Sequence, residues 1–150
     1  MPQSLSAVYV HIVFSVKRRE PLILPTVESD LHAYLGAIFR ECDSPALRIG
    51  GTSDHVHVLC SLSRTRTVAD VIEEAKKRSS KWLKLKDDAL QSFQWQAGYG
   101  AFSVGGSGVA AVCEYIRNQR DHHEKRSFED EYRTLLRKYG VAYDERYVWD

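Results

Sequence analysis

The sequence is short of the features that staple a chain or span a membrane. It holds three cysteines, Cys42, Cys60 and Cys113, an odd number with no CxxC spacing. That excludes a disulfide framework and fits free thiols in a reducing cytoplasm. No apolar run approaches the roughly 18 residues of a membrane helix. The opening MPQSLSAVYVHIVF has no basic residue ahead of its apolar stretch and no small-residue cleavage site, so it reads as a first strand and not a leader. Excess charge of one sign is also missing. Lys and Arg number 21 against 20 Asp and Glu, the formal net charge is +1, and the pI is near 7.8. This balance counts against nucleic acid, since domains that bind it often exceed a pI of about 9, and local basic clusters soften that objection.

What is present is enough for a core. Apolar residues make up 43% of 150 residues, a size and composition expected of one domain over 1–150. Ala7 to Val16 is β-branched and aromatic and reads as a strand. Thr26 is placed to cap a helix with Leu31, Tyr34, Leu35, Ile38 and Phe39 at helical spacing. Ala46 to Ile49 and His55 to Leu62 read as strands across the turn residues at 50–54. Thr67 caps a second helix, and Phe93 to Val104 contains a further strand. Ser107 is placed to open a third helix through about His123. Ser127 precedes a fourth, with Phe128, Tyr132, Leu135, Leu136 and Tyr139 on one face and Gly140 at its end. The order β-α-β-β-α-β predicts an α+β, ferredoxin-like antiparallel sheet with helices on one face, plus C-terminal helices.

Two short motifs carry candidate chemistry. In His55-Val56-His57 the strand period of two puts both imidazoles on one face, with Cα atoms about 7 Å apart. Val56 and Val58 face the predicted core. Cys60 has the opposite parity to the histidines, which removes it as a zinc ligand beside them. A third ligand must come from elsewhere. In CEYIRNQRDHH, Tyr115 and Gln119 are four apart, one helical turn, on the shoulder of an apolar stripe formed by Val109, Val112, Cys113 and Ile116. Gln119 offers a carbonyl oxygen suited to a hard cation. Each motif alone also fits an ordinary exposed strand or packing tyrosine. His11 has odd parity among core neighbours and is expected to face outward, without a ligand role. Two basic clusters stand out, Lys17, Arg18 and Arg19, and a segment that includes Lys76, Lys77, Arg78 and Lys81.

Taken together, DHVHVL at 54–59, QAGYGAFSVG at 96–105, YIRNQ at 115–119 and the ending HH…F…E…LL…YDERYVW resemble the single-tyrosine HUH transposases of small bacterial and archaeal insertion sequences, relatives of the REP-associated tyrosine transposases. The resemblance covers essentially the whole chain. It implies a ferredoxin-like fold, His55, His57 and Gln119 as ligands of Mg²⁺ or Mn²⁺, and Tyr115 as nucleophile. It further implies a homodimer that binds hairpins at transposon ends and cleaves and rejoins single-stranded DNA through a 5′-phosphotyrosine bond. The protein would then be cytoplasmic and nucleoid-associated. Lys17, Arg18, Arg19, Lys77, Arg78 and Lys81 become candidate phosphate contacts. Two other readings fit the same residues, a domesticated hairpin-binding relative that no longer transposes and a metal-dependent phosphodiesterase with water as nucleophile.

Overall fold

The structure, a computed structural model, describes residues 2–150. Four strands form one antiparallel sheet in the order β2-β3-β1-β4, with β1 at Tyr9–Ser15, β2 at Ala46–Gly51, β3 at His55–Ser61 and β4 at Gly100–Val104. Helices α1 (Pro25–Glu41) and α2 (Val68–Lys86) form the two crossovers. The element order and pairing are those of the expected ferredoxin-like α+β sheet.

One face of the sheet is an apolar core. Val10, Ile12, Phe14, Val56, Val58 and Cys60 point into it and meet Leu31, Leu35, Ile38 and Phe39 of α1 and Val71, Ile72, Ala75 and Leu83 of α2. Cys60 thus sits opposite the histidines, as its parity requires. Burial of this many side chains at about 25 cal/mol per Å² is the main source of stability.

The other face is also covered. Helices α3 (Val109–Arg117), α4 (Gln119–His123) and α5 (Phe128–Lys138) lie over it. Their apolar residues Phe128, Tyr132, Leu135 and Leu136 pack on Val13 and Phe102. Because the face is roofed, His11 is only 2% exposed, and His55 and His57 are fully buried. His11 therefore faces inward, not outward as the sequence suggests. Strand parity was right, but the face it points to is a second interior.

Local signals explain most helix ends. Thr67 accepts from Asp70 N and Ser127 from Asp130 N, the expected caps. Thr26 does not cap α1, because Pro25 takes the first helical position and fixes the entry. Ser107 lies in a 3₁₀ turn, and α3 starts at Val109. The single helix expected from Ser107 to His123 is broken at Asn118, whose φ of −93° and ψ of 20° separate α3 from α4. Among the described residues no helix is long and apolar enough to cross a membrane.

Candidate metal centre and nucleophile

The site is assembled on the roofed face of β3. Gly51, at φ 152°, turns the chain from β2 back into His55, and a Cβ there would stand 2.2 Å from the His55 carbonyl oxygen. The register sets His55 opposite Ser15 and His57 opposite Val13. Gly50 sets the roof. A Cβ at that position would come within 2.5 Å of the Ile116 carbonyl oxygen, so α3 rests directly on the backbone of β2. That close approach brings Tyr115 over the histidines of its own chain.

The centre of the site is a residue the sequence reading did not single out. Glu131, on α5, is 1% exposed. Its Oε1 accepts from His57 Nε2 at 2.9 Å and His123 Nε2 at 3.0 Å, with His55 Nε2 at 3.6 Å. Its Oε2 accepts from Gln119 Nε2 at 2.9 Å and from the Tyr115 hydroxyl. Gln119 Oε1 in turn lies 2.9 Å from His55 Nε2 and 3.1 Å from His123 Nε2. His55, His57, His123 and Glu131 each offer one ligand atom, all within 4.8 Å of one another. So the four residues singled out from sequence, His55, His57, Tyr115 and Gln119, do meet at one point. Tyr115 and Gln119 reach it from two helices, not from one.

Further residues orient the imidazoles. His55 Nδ1 faces Asp54 Oδ1 at 2.7 Å. His57 Nδ1 faces His11 Nε2 at 2.8 Å, and these two rings stack with centroids 5.0 Å apart. Such outer partners fix the tautomer and ring plane of a ligating histidine.

The electrostatics follow from burial around one carboxylate. Glu131 is held far below the usual carboxylate range: burial works against this, but hydrogen bonds from His123 and His57 and the nearby His55 outweigh it. Burial lowers His57, opposed by Glu131. His123 is raised, because the bond to Glu131 overcomes its burial. His11 is lowered to about 3, mainly by burial and then by His57, so it stays neutral. The Tyr115 phenol is pushed well above its ordinary value by burial and by the negative Glu131.

Two openings flank the centre. An open cleft of about 750 Å³ runs past Asp54 and His123 and is bordered by Arg18, Arg19 and Arg126. On the other side a cavity of about 350 Å³ is lined by Tyr115, His11, His122, Glu131, Arg126 and Lys138. Arg18 and Arg19 both have positive φ, 60° and 54°, and turn the chain at the cleft edge beside the exposed Lys17. The second basic cluster is elsewhere. Lys77, Arg78 and Lys81 lie on α2, across the sheet from the histidines, and Arg78 pairs with Glu41 at 2.5 Å. Lys76 is not a free surface cation. Its Nζ donates to the carbonyl oxygens of Gln96 at 2.8 Å and Gly98 at 2.5 Å, and burial lowers it to about 8.

Glu131 left a trace in the sequence. It lies three residues after Phe128 and four before Leu135, inside the apolar stripe of α5, where a carboxylate needs a buried partner. His123 stands in the HH of the C-terminal stretch that carries the resemblance, where no role attaches to it.

The wider comparisons agree with this geometry. No curated protein matches the sequence. Among solved structures, a candidate transposase from Deinococcus radiodurans R1 superposes with a TM-score of 0.61 at 20% identity, covering 79% of this chain and 98% of its own. A REP-associated tyrosine transposase bound to a REP hairpin also superposes with a TM-score of 0.61, at 14% identity, covering 82% of this chain and 72% of its own. At these identities the likeness is one of fold. The sequence itself matches the family described as "Transposase IS200 like" over residues 4–119. The chain belongs to the IS200-like transposase family, as a relative of the single-tyrosine transposases.

Proposed function

We propose that this transposase relative binds hairpins at the ends of a mobile element and cleaves and rejoins single-stranded DNA through a 5′-phosphotyrosine link to Tyr115. The observation that carries the reading is the meeting of Tyr115 with His55, His57 and Gln119 around Glu131. Nothing in an ordinary packing arrangement needs a tyrosine, a glutamine and three histidines gathered on one buried carboxylate.

The donor set fits a divalent cation. Imidazole nitrogens with carboxylate and carboxamide oxygens form a mixed site of borderline softness, suited to Mn²⁺ and, through its oxygens, to Mg²⁺. His55, His57 and Gln119 would hold the ion with Glu131 as a further oxygen donor, and Asp54 and His11 would orient the two histidines. When bound, it would supply Lewis-acid polarisation of the scissile phosphate. The remaining work belongs to the chain. Tyr115 attacks phosphorus and forms an ester bond. The bond to the 3′ oxygen breaks, and that oxygen leaves as a hydroxyl, carrying the proton that the Tyr115 phenol gives up. The ester keeps the bond energy, so another 3′ hydroxyl reverses the step and joins new ends without ATP.

Lys17, Arg18 and Arg19, at the mouth of the open cleft, would guide the strand by phosphate contacts. Lys77, Arg78 and Lys81 would meet a more distant part of the hairpin. We read 1–150 as one domain. Each chain carries one tyrosine at its own histidine pair, and excision needs two cuts, so a homodimer would supply both. A cytoplasmic, nucleoid-associated location follows from the substrate.

The test is hairpin-bearing single-stranded DNA incubated with the protein and Mn²⁺ or Mg²⁺, resolved on a denaturing gel. A covalent adduct, lost in Tyr115→Phe and His57→Ala, is expected. Free 5′-phosphate ends without an adduct would favour the phosphodiesterase. Hairpin binding without cleavage would favour the domesticated relative.

A further inference from the structure

We propose that Glu131 is a latch on the nucleophile: Tyr115 and the cation compete for the negative charge of this one carboxylate, so metal binding loosens the tyrosine. The inference rests on the metal reading above and goes beyond it by coupling the ion to the position of Tyr115.

The count of hydrogen bonds carries the argument. A carboxylate offers about four lone-pair sites. In Glu131 all four have donors: His57 and His123 on Oε1, Gln119 and Tyr115 on Oε2. Glu131 is 1% exposed, so water does not compete for these sites. The protons on the histidine Nε2 atoms stand where a cation's bonds would be, since the same nitrogens face the carboxylate. For His55 and His57 to ligate, those nitrogens must be bare. Glu131 Oε1 then turns from the histidine protons to the ion.

The consequence falls on Tyr115. Its hydroxyl bonds to Glu131 because the carboxylate is anionic, and such charge-assisted bonds are roughly twice as strong as neutral ones. A cation on Oε1 withdraws that charge, and the bond at Oε2 weakens. The loosened hydroxyl lies beside the cavity of about 350 Å³ that Tyr115 shares with Arg126 and Lys138, two cations suited to a phosphate. A nucleophile tied to a buried anion is poorly placed to attack a second anion. The latch thus ties its release to a loaded centre.

Coupling between two binding events is reciprocal. If metal weakens the Tyr115 bond, that bond must weaken metal binding. Mn²⁺ affinity, measured by calorimetry on the full chain without DNA, reads this directly. Tyr115→Phe keeps the ring and removes only the hydroxyl, so it should bind Mn²⁺ about fivefold tighter or more. Glu131→Gln should bind at least about tenfold more weakly. In the double variant the gain from Tyr115→Phe should vanish, because the shared carboxylate is gone. Melting curves confirm that each variant is folded, and the Tyr115→Phe arm stands without Glu131→Gln.

Unchanged or weaker Mn²⁺ affinity in Tyr115→Phe overturns the latch while leaving the metal reading intact. A gain that persists in the double variant also overturns it. Absence of Mn²⁺ binding in the wild type, with His57→Ala no different, overturns the metal reading and the latch together.

Discussion

The two faces of the sheet are built from the same strands and do opposite things. On β1 and β3 the residues Val10, Ile12, Phe14, Val56 and Val58 enter an apolar core with α1 and α2. Their alternates are just as buried but include the polar His11, Ser15, His55 and His57 beside the apolar Val13 and Leu59. A period of two is enough to place the larger apolar core on one side and the buried polar cluster on the other. Burial alone therefore says little about role. The difference lies in what the covering helices bring down, mainly apolar side chains from α1 and α2, but Tyr115, Gln119, His123 and Glu131 beside the apolar Phe128, Tyr132, Leu135 and Leu136 from α3 to α5.

The sharpest way to break this comparison is one substitution on each face. His57→Ala should cut adduct formation at least about a hundredfold, the scale of losing a metal-site residue. Phe14→Ala should cost about 3–5 kcal/mol of stability through the cavity it leaves. It should leave adduct yield per folded molecule near wild type, as read by chemical denaturation and by gel. Equal loss of activity from both would dissolve the distinction between the faces.

Gly50→Ala tests the roof itself. The added Cβ meets the Ile116 carbonyl oxygen, so α3 must lift from β2 and carry Tyr115 with it. Adduct yield should fall about tenfold or more, the effect of roughly 1 Å of misplacement. The melting temperature should change much less than in Phe14→Ala.

The faces should also differ in their response to acid. His11 has a folded pKa of about 3 against an ordinary 6.5. A lowered folded value means the unfolded chain binds the proton more readily. The stabilisation is thus complete above about pH 6.5 and lost as the pH falls toward about 3. His57 is shifted the same way. His123, which is raised, works against them and blunts the slope. Without metal, denaturation at pH 5 should show about 1–2 kcal/mol less stability than at pH 7. His11→Gln should flatten that dependence, and an unchanged slope would remove His11 as its source.

The smallest effect is expected far from the site. Replacing Lys77, Arg78 and Lys81 with Ala should leave metal affinity and melting temperature unchanged. If these residues touch the hairpin, its affinity should fall uniformly across sequences and the salt slope should drop by about 1 per lost contact. A sequence-dependent loss would place base contacts on α2.

Much of this was readable from the residues. The parity of HVHVLC placed two histidines together and sent Cys60 away, and Thr67 and Ser127 marked two helix starts. What escaped was tertiary. His11 has the parity of the site face, yet no pattern in β1 reveals that α5 will roof that face. The break at Asn118 is invisible to helical spacing, because Tyr115 and Gln119 are neighbours in a straight helix too. Glu131 lies 74 residues from His57, and only the docking of α5 joins them. The carboxylate in an apolar stripe was the one local clue, and it names no partner.

Tyr115 as the covalent nucleophile of the histidine face is the central proposal. Tandem mass spectrometry of the adduct trapped on hairpin-bearing single-stranded DNA locates the linked residue. The prediction is a 5′-phosphate on Tyr115, with no adduct in Tyr115→Phe. A nucleotide on any other residue, or an adduct that survives Tyr115→Phe, would contradict it.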